Sequence, residues 1–330
     1  MKKILSIALV MLLSVVVMVG CSQAKDANVN APQNSDTNKI EDTANKEVKV
    51  EELKEINIEH AKGSIKLETA AKKVVVFDMG SLDTIDALTQ ELELAVPTSN
   101  IPSSLSKYEG AVNAGSLFEP DMEAIFNFEP ELIIIGARQA NYYEELSKIA
   151  PTIYVEINAA TYMDDFKLST LNIAKAIGKE AEAEKYLSEI DSEIEAIKAL
   201  AKSSEKKALV IMTNDGNLSA YGKGSRFGLI HDVLGVPTAD DSIDVSTHGQ
   251  EASFEYIAQV NPEILFVIDR TTVAGGSVTA SNTLNNDLVK SITAFKNDKV
   301  VYLNAEAWYL ANGGINMMNI MLSEVKAALN

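Results

Sequence analysis

The chain has 330 residues, a hydrophobic content of 46% and a formal net charge of −18 at pH 7. This length and apolar content suffice for two modest domains, each with its own core. The negative charge argues against a nucleic-acid partner, because it would repel the phosphate backbone. The single cysteine excludes an intramolecular disulfide and a cysteine metal cluster.

The N-terminus has the pattern of a bacterial export signal. Two lysines precede an apolar run over residues 4–19, and a lipobox-like sequence ends at Cys21. This pattern is similar to lipoprotein signals, which are cleaved before a cysteine that then carries a lipid. We predict a signal peptide over residues 1–20, lipidation of Cys21 and a lipid-anchored flexible tether over residues 21–50. The alternative is an uncleaved membrane anchor, and both place the protein on the extracytoplasmic face of the cell membrane.

Beyond the tether, the sequence predicts a β-hairpin and then an α/β lobe. Short segments on either side of residues 61–63 alternate apolar and polar side chains, as the strands of a hairpin do. Apolar strands then alternate with helices, the first of which is predicted to be capped by Ser81. We assign residues 51–165 to an N-terminal lobe.

A purely helical stretch follows, because no strand pattern occurs between Met163 and Glu205. Gly178 divides it, and residues 180–204 are predicted to form one long helix of about 37 Å at about 1.5 Å per residue. Its apolar stripe recurs at helical spacing and consists of Leu187, Ile190, Ile194, Ile197 and Ala201. The stripe is too short for a coiled-coil arm. We therefore predict a helical linker over residues 166–205 with a rigid strut between two lobes.

The second lobe, residues 206–330, is predicted to repeat the first. The segment DMEAIFNFEPELIIIGAR (121–138) aligns without gaps with SFEYIAQVNPEILFVIDR (253–270), each a helix, a Pro-Glu turn, an apolar strand and an arginine. Unbroken apolar strands are typical of parallel sheets that are covered on both faces. Residues 225–237 also echo residues 81–97 and are predicted to contain a helix and a short strand. The sequence thus predicts an α/β fold with two Rossmann-like lobes joined by one long rigid helix.

The chain contains only three arginines, Arg138, Arg226 and Arg270. Ligands of open α/β sheets bind beyond the carboxyl ends of the strands, so Arg138 and Arg270 are predicted to face a shared cleft. Arg226 is predicted to begin a helix whose N–H groups add positive character, although a surface position is the alternative. A guanidinium suits bidentate anionic oxygens and aromatic faces, so the three residues favour an anionic ligand.

Further candidates lie in loops. His248 occurs in a polar loop before the second repeat helix, and Trp308 and Tyr309 follow a predicted strand. The two aromatic residues either pack internally or offer π surface and a phenol oxygen to the cleft. The sequence has no group with metal-ligand spacing and no activated nucleophile, so it predicts a binding protein without an intrinsic cofactor, not an enzyme.

The lipobox, the acidic tether, the two lobes, the strut and the paired helix-Pro-Glu-strand motifs resemble the substrate-binding lipoproteins of iron-siderophore ABC importers. The resemblance covers about residues 54–330 and implies a monomer with the class III periplasmic-binding-protein fold. It implies a ferric siderophore as the ligand and the importer's ABC permease as the partner. The two lobes are expected to close only slightly around a preformed cleft, because the strut joins them.

Within that family, the chain is similar to the catecholate binders for petrobactin and related tetradentate ligands, which keep an arginine triad and a His/Tyr pair. This implies that the arginines neutralise the ferric complex while His248 and Tyr309 complete the iron shell. Trp308 is a further candidate ligand contact because of its loop position beside Tyr309, not because of the resemblance. It also implies that an acidic residue on each lobe docks on the permease. Glu123 and Glu255 occupy matching positions in the two repeat helices and are the candidates, unless they are ordinary solvated glutamates.

Two other functions stay open at this stage. The same scaffold could carry haem or a corrinoid, which the arginine triad disfavours. An extracellular enzyme acting on an anionic metabolite is the other alternative, and it lacks a recognisable nucleophile or metal site in the sequence.

Overall fold

A computed structural model describes residues 55–330 of the chain. The predicted signal peptide, the lipidation site at Cys21 and the tether lie outside these residues. Within residues 55–330 no helix combines the length and the apolar character that crossing a membrane requires. The description begins with the predicted hairpin, whose strands β1 (Ile56–His60) and β2 (Gly63–Leu67) pair antiparallel.

The N-terminal lobe is built on a five-stranded sheet. Its strands are β3 (Lys73–Val76), β4 (Glu93–Val96), β5 (Val112–Asn113), β6 (Leu132–Ile135) and β7 (Thr152–Tyr154). All neighbouring pairs are parallel, and the order across the sheet is β5-β4-β3-β6-β7. The direction of winding reverses between β3 and β6, which opens a crevice beyond the carboxyl ends of these two strands.

The C-terminal lobe has a second five-stranded sheet with the same spatial order. Its strands are β8 (Ala208–Asn214), β9 (Asn217–Tyr221), β10 (Gln250–Ala252), β11 (Ile264–Asp269) and β12 (Val300–Leu303). The order is β10-β9-β8-β11-β12, and β9 runs antiparallel to both neighbours. The chain returns directly from β8 into β9 at Asp215-Gly216, where both residues have positive φ. An Asp-Gly pair between apolar segments is a strong hairpin signal.

The helices divide into two groups in chain order, with the strut as the last helix of the first half. In the first half they are α1 (Met79–Leu88), α2 (Met122–Phe128), α3 (Tyr143–Leu146), α4 (Tyr162–Ile177) and α5 (Glu180–Ser204). In the second half they are α6 (Phe254–Val260), α7 (Thr271–Ala274), α8 (Ala280–Thr283), α9 (Asp287–Ser291), α10 (Thr293–Lys296) and α11 (Ile315–Leu329). The predicted cap of α1 is wrong, because the Asp78 carboxylate accepts the Ser81 N–H at 2.8 Å and the helix already begins at Met79.

The prediction for residues 225–237 is also wrong. This stretch contains one π-helical turn, Leu229–Val233, and only an isolated bridge joins Thr238 to β8. The Asp232 carboxylate accepts the N–H of Gly224 at 2.6 Å and folds the loop back on itself. A Cβ on Gly228 would displace that carboxylate. Arg226 therefore does not begin an α-helix.

The long helix α5 matches its predicted bounds, residues 180–204. All five residues of the predicted apolar stripe are buried, together with Ala183. The stripe packs against α4 and α11. Gly178, in the left-handed conformation, separates α4 from α5 as predicted.

One hydrophobic core extends through both lobes. In β3, Val74 and Val76 face this common core, while Val75 faces a separate cluster on the other side of the sheet. The strand β11 divides in the same way, with Phe266 in the common core and Val267 in a cluster of the C-terminal lobe. Both sheets are therefore covered on both faces, as the unbroken apolar strands predict. The helices α1, α4, α5 and α11 form the layer that joins the lobes.

A buried carboxylate attaches the last helix to the first. Asp83 of α1 is fully buried, and its Oδ2 accepts the N–H groups of Asn316 at 2.7 Å and Met317 at 3.1 Å. These groups belong to the first turn of α11. Burial raises the pKa of Asp83 to about 6, although the hydrogen bonds oppose the shift.

The internal repeat extends to individual hydrogen bonds. Helices α2 and α6 both end at a left-handed residue, Glu129 and Asn261 respectively. After the following proline, the Glu131 and Glu263 carboxylates each accept the N–H group of the residue that precedes β3 or β8, at 2.5 Å and 2.9 Å. The glutamate of each Pro-Glu turn thus fixes one strand to its parallel neighbour, which explains why both copies keep it.

Candidate ligand-binding site

A cavity of about 430 Å³ opens at the carboxyl edges of the two sheets. Both lobes contribute side chains to its wall, among them Asp78, Arg138, Glu156, Asn158, Tyr162, Arg226, Thr247 and Tyr309. Its volume lies within the range that is usual for small-molecule sites, about 300–1,000 Å³. The cleft predicted from the strand ends is therefore present.

The three arginines converge on Tyr309 from different elements. Arg138 lies in a 3-10 turn directly after β6, Arg270 directly after β11, and Arg226 in the loop after β9. The Tyr309 carbonyl accepts hydrogen bonds from Nη2 of Arg226 at 2.9 Å and from Nη2 of Arg138 at 3.4 Å. The Arg226 guanidinium also stacks on the Tyr309 ring, 4.2 Å from its centroid. One backbone carbonyl thus holds guanidinium groups from both lobes.

Arg270 reaches the same tyrosine at its phenol end. Its Nε donates to the Tyr309 hydroxyl at 2.7 Å, and its Nη1 donates to Oδ1 of Asn214 at 2.7 Å. Asn214 is the last residue of β8, so the strand-end rule that selected Arg138 would also have found it. It orients Arg270 with respect to Tyr309.

Three positive charges gather around Tyr309 in an acidic protein. No carboxylate of residues 55–330 forms an ion pair with any of the three arginines. Burial, assisted by the charge of Arg138, lowers the pKa of Arg226, although Tyr309 opposes the shift. Burial alone would raise the pKa of Tyr309, but the Arg270 hydrogen bond and the three positive charges outweigh it and lower that pKa. An anion entering the cleft would relieve this accumulated charge.

His248 lies at the rim of the cleft. Its neighbour Thr247 lines the cavity, while the His248 side chain is exposed and forms no hydrogen bond to the other described residues. The loop itself is fixed, because the buried Tyr221 hydroxyl donates to the His248 carbonyl at 2.9 Å. A Cβ on Gly249 would strike the Tyr221 ring. The structure therefore holds His248 near the site without bringing it to Tyr309.

The prediction that Trp308 contacts the ligand is wrong. Its side chain is only 1% exposed, and its indole N–H donates to the Glu324 carboxylate of α11 at 2.7 Å. The ring packs edge-on against Phe227. Trp308 and Tyr309 share a π-helical turn, Glu306–Leu310, in which the tryptophan points into the core while the tyrosine lines the cleft.

The two docking candidates occupy equivalent exposed positions. Glu123 lies in the first turn of α2, and Glu255 in the first turn of α6. Both helices begin where the chain leaves the carboxyl edge of a sheet, which is the edge that carries the cleft. The two glutamates therefore flank the cleft on opposite lobes.

A resident metal has no evident site in the described part of the chain. No group of three or more histidine, cysteine, aspartate or glutamate side chains within residues 55–330 is arranged to hold a metal ion. The cleft offers guanidinium groups, amides, the phenols of Tyr162 and Tyr309, and two carboxylates, Asp78 and Glu156. The three guanidinium groups, none paired with a carboxylate of residues 55–330, fit the outside of an anionic complex better than a bare cation.

Comparison with known proteins relates this architecture to a single family. The family model described as "Periplasmic binding protein" matches residues 74–307. The petrobactin-binding protein YclQ of Bacillus subtilis is 45% identical over 280 residues, which cover 83% of this chain and 88% of YclQ. Its crystal structure superposes with a TM-score of 0.80, covering 84% of this chain and 99% of that one at 44% identity.

Two further solved structures have similar folds. The iron uptake ABC transporter substrate-binding protein PiuA of Streptococcus pneumoniae has a TM-score of 0.78 at 35% identity, over 83% of this chain and 98% of its own. The periplasmic catecholate-siderophore binding protein VctP of Vibrio cholerae has a TM-score of 0.78 at 36% identity, over 83% of this chain and 100% of its own. The predicted class III fold, two α/β lobes with one connecting helix, is confirmed.

Proposed function

The chain belongs to the periplasmic binding protein family, and we propose that it binds a ferric siderophore of the catecholate type, similar to petrobactin, and delivers it to an ABC permease. The observation that carries this proposal is the group of three arginines around Tyr309, none paired with a carboxylate of residues 55–330. Catecholate oxygens around Fe(III) leave a net negative charge and flat aromatic faces, and guanidinium groups match both.

The ligand would replace an internal partner of the arginines. In the structure, Arg226 and Arg138 donate to the Tyr309 carbonyl. Anionic oxygens are stronger acceptors than a backbone carbonyl, so a ferric complex would draw both guanidinium groups away from it. Because the arginines are already gathered, binding needs only small side-chain movements, which fits a cleft held by the common core.

Tyr309 and His248 are the proposed protein ligands of siderophore-bound iron. The lowered pKa of Tyr309 favours the phenolate, which is a good donor for the hard ferric ion. The exposed His248 would reach the iron from the rim when a tetradentate siderophore leaves two positions free. The protein itself carries out no catalysis and holds no cofactor in this proposal.

Calorimetric titration of the detergent-solubilised protein tests the ligand class. Ferric petrobactin, a ferric tris-catecholate, a ferric hydroxamate, haem and cobalamin would be compared under the same conditions. We expect tight binding of the catecholates only. Stronger binding of haem or cobalamin would refute the siderophore proposal while retaining the scaffold, and turnover of an anionic metabolite would point to an enzyme.

The place of action is part of the proposal. Lipidation at Cys21 would anchor the protein to the extracytoplasmic face of the cell membrane, as a monomer, through the tether of residues 21–50. Glu123 and Glu255 would then contact cationic residues of the permease. Two observations support this part of the proposal. The chain is similar in fold to PiuA, an ABC transporter substrate-binding protein, and the two glutamates occupy exposed, equivalent positions.

A further inference from the structure

The repeated surfaces of the two lobes differ in one respect that the docking glutamates do not explain. On the N-terminal lobe, two phenylalanines beside Glu123 are among the most exposed large apolar side chains of the described chain: Phe118 is 61% exposed and Phe126 is 66% exposed. At the matching positions of the C-terminal lobe, 132 residues later, the sequence has Gln250 and Ala258.

Two phenylalanines and two glutamates lie within residues 118–126, and we call these four side chains the N-lobe patch: Phe118, Glu119, Glu123 and Phe126. Glu123 and Phe126 are three residues apart on α2, so they share one face of the helix. Phe118 and Glu119 lie in the loop that precedes the helix cap Asp121. The acidic pair has an exposed counterpart on the other lobe, Glu251 and Glu255, so only the aromatic pair is particular to this lobe.

The exposure of Phe118 does not come from a loose loop. The Ser116 hydroxyl accepts the N–H of Glu119 at 2.9 Å, and a backbone bridge joins Gly115 to Pro120. The amide of Gln139, itself buried, donates to the Leu117 carbonyl. Gln139 follows the cleft residue Arg138, so the loop is anchored to the turn that carries part of the binding site. A rigid loop holds the aromatic ring in solvent.

We infer that the N-lobe patch is a docking surface for the permease, with the two phenylalanines as its apolar contacts and Glu119 and Glu123 as its charged contacts. This inference rests on the proposed function. The carboxylates select a cationic partner, which disfavours a second copy of this acidic chain and the surface of an anionic membrane. Exposed aromatic side chains surrounded by charged residues are typical anchors of protein interfaces.

With this patch, the two lobes would contribute unequally to the contact with the permease. Two lobes with matching glutamates would present nearly equivalent surfaces, whereas the aromatic pair adds apolar contact area to one lobe only. The N-terminal lobe would therefore contribute more binding energy than the C-terminal lobe, and loss of Glu123 would be tolerated better than loss of the phenylalanines.

The test replaces the two phenylalanines of the N-lobe patch by the residue types at the matching positions of the C-terminal lobe. The double variant Phe118→Gln/Phe126→Ala of the full-length protein would replace the chromosomal copy in the source organism. We expect the initial rate of radioactive iron uptake from ferric petrobactin to fall about fivefold or more, with the dissociation constant of the purified variant unchanged. The matched control is Phe295→Ala on α10, which removes an aromatic ring of 42% exposure outside the patch and should leave both quantities unchanged.

A second measurement separates this inference from the proposed ligand. Association of the purified full-length protein with its tagged permease in nanodiscs would be measured without siderophore, and the double variant should bind more weakly than wild type. If ferric petrobactin fails to bind the wild type, the ligand proposal fails while this readout still decides the docking surface. Unchanged permease binding and uptake would overturn the inference. So would a patch-dependent change in sedimentation, which would indicate self-association, or in vesicle binding, which would indicate a membrane contact.

Discussion

Replacing Arg226 by alanine should weaken ligand binding without destabilising the ligand-free protein. The guanidinium is mostly buried, donates to the Tyr309 carbonyl at 2.9 Å and stacks on the Tyr309 ring. Its hydrogen bond to an anionic oxygen of the ligand would contribute about 1.5–3 kcal/mol. The dissociation constant of ferric petrobactin should therefore rise about 10- to 150-fold.

The thermal stability of Arg226→Ala should not fall along with its ligand affinity. Alanine removes the bond to the Tyr309 carbonyl, which contributes about 1 kcal/mol. It also removes the cost of burying a charge beside Arg138, which lowers the pKa of Arg226. The two changes offset each other, so the thermal midpoint of the ligand-free variant should stay close to that of wild type or rise above it. Such a pairing is typical of residues that serve binding at the expense of stability.

Calorimetric titration and thermal unfolding of the same samples check both expectations. The matched control is Lys223→Ala. Lys223 lies three residues before Arg226 and forms an exposed ion pair with Asp241, so its loss should leave the dissociation constant unchanged. Arg226→Lys keeps the charge but loses the planar stack, so its affinity should fall between those of wild type and alanine. An unchanged affinity in Arg226→Ala would remove this residue from the site. A lower affinity accompanied by a large loss of stability would mean that the arginine is structural.

Four further substitutions test the remaining predictions. Tyr309 should release its proton below pH 10, the ordinary pKa of tyrosine, so the tyrosinate absorbance below that pH should be smaller in Tyr309→Phe than in wild type; equal absorbance in the two proteins would contradict this. Asp83 has a pKa raised from 3.8 to about 6, so the folded protein binds the proton more strongly and loses stability as pH rises through this window. Relative to wild type, Asp83→Asn should gain up to about 3 kcal/mol between pH 4 and 7 in denaturant titrations, and a constant difference would refute the assignment. Glu123→Ala and Glu255→Ala should each slow iron uptake at unchanged ligand affinity, and a loss of affinity would place the residue in the ligand site instead.

Periodicity and topology predicted most of the fold. The five apolar residues of α5 fixed both the helix and its buried face, because regular spacing on one helix needs no knowledge of distant partners. The positions of Arg138 and Arg270 followed from the rule that strand ends converge. Asn214 obeys the same rule as the last residue of β8, but its neutral amide does not by itself indicate an anion-binding site.

The failures have physical causes of their own. The directions of Trp308 and Tyr309 are set by a single π-helical turn, and no local pattern distinguishes the buried ring from the one in the cleft. The helix predicted after Ser225 was lost because a carboxylate seven residues later, that of Asp232, captured a loop N–H group. The Tyr309 carbonyl, which holds two arginines, is a backbone atom, and the identity of a residue does not reveal where its carbonyl points.

The attachment of α11 to α1 and α5 has a consequence for how the chain matures. Helix α11, of 15 residues, covers α1, the first helix of the N-terminal lobe. The Asp83 carboxylate has no access to the N–H groups of Asn316 and Met317 until α11 has formed. Synthesis proceeds from the N-terminus, so the apolar face of α1 stays uncovered until residues 315–329 have emerged. The lobes cannot be completed one after the other, and a chain truncated before Ile315 would leave a gap in the core of both.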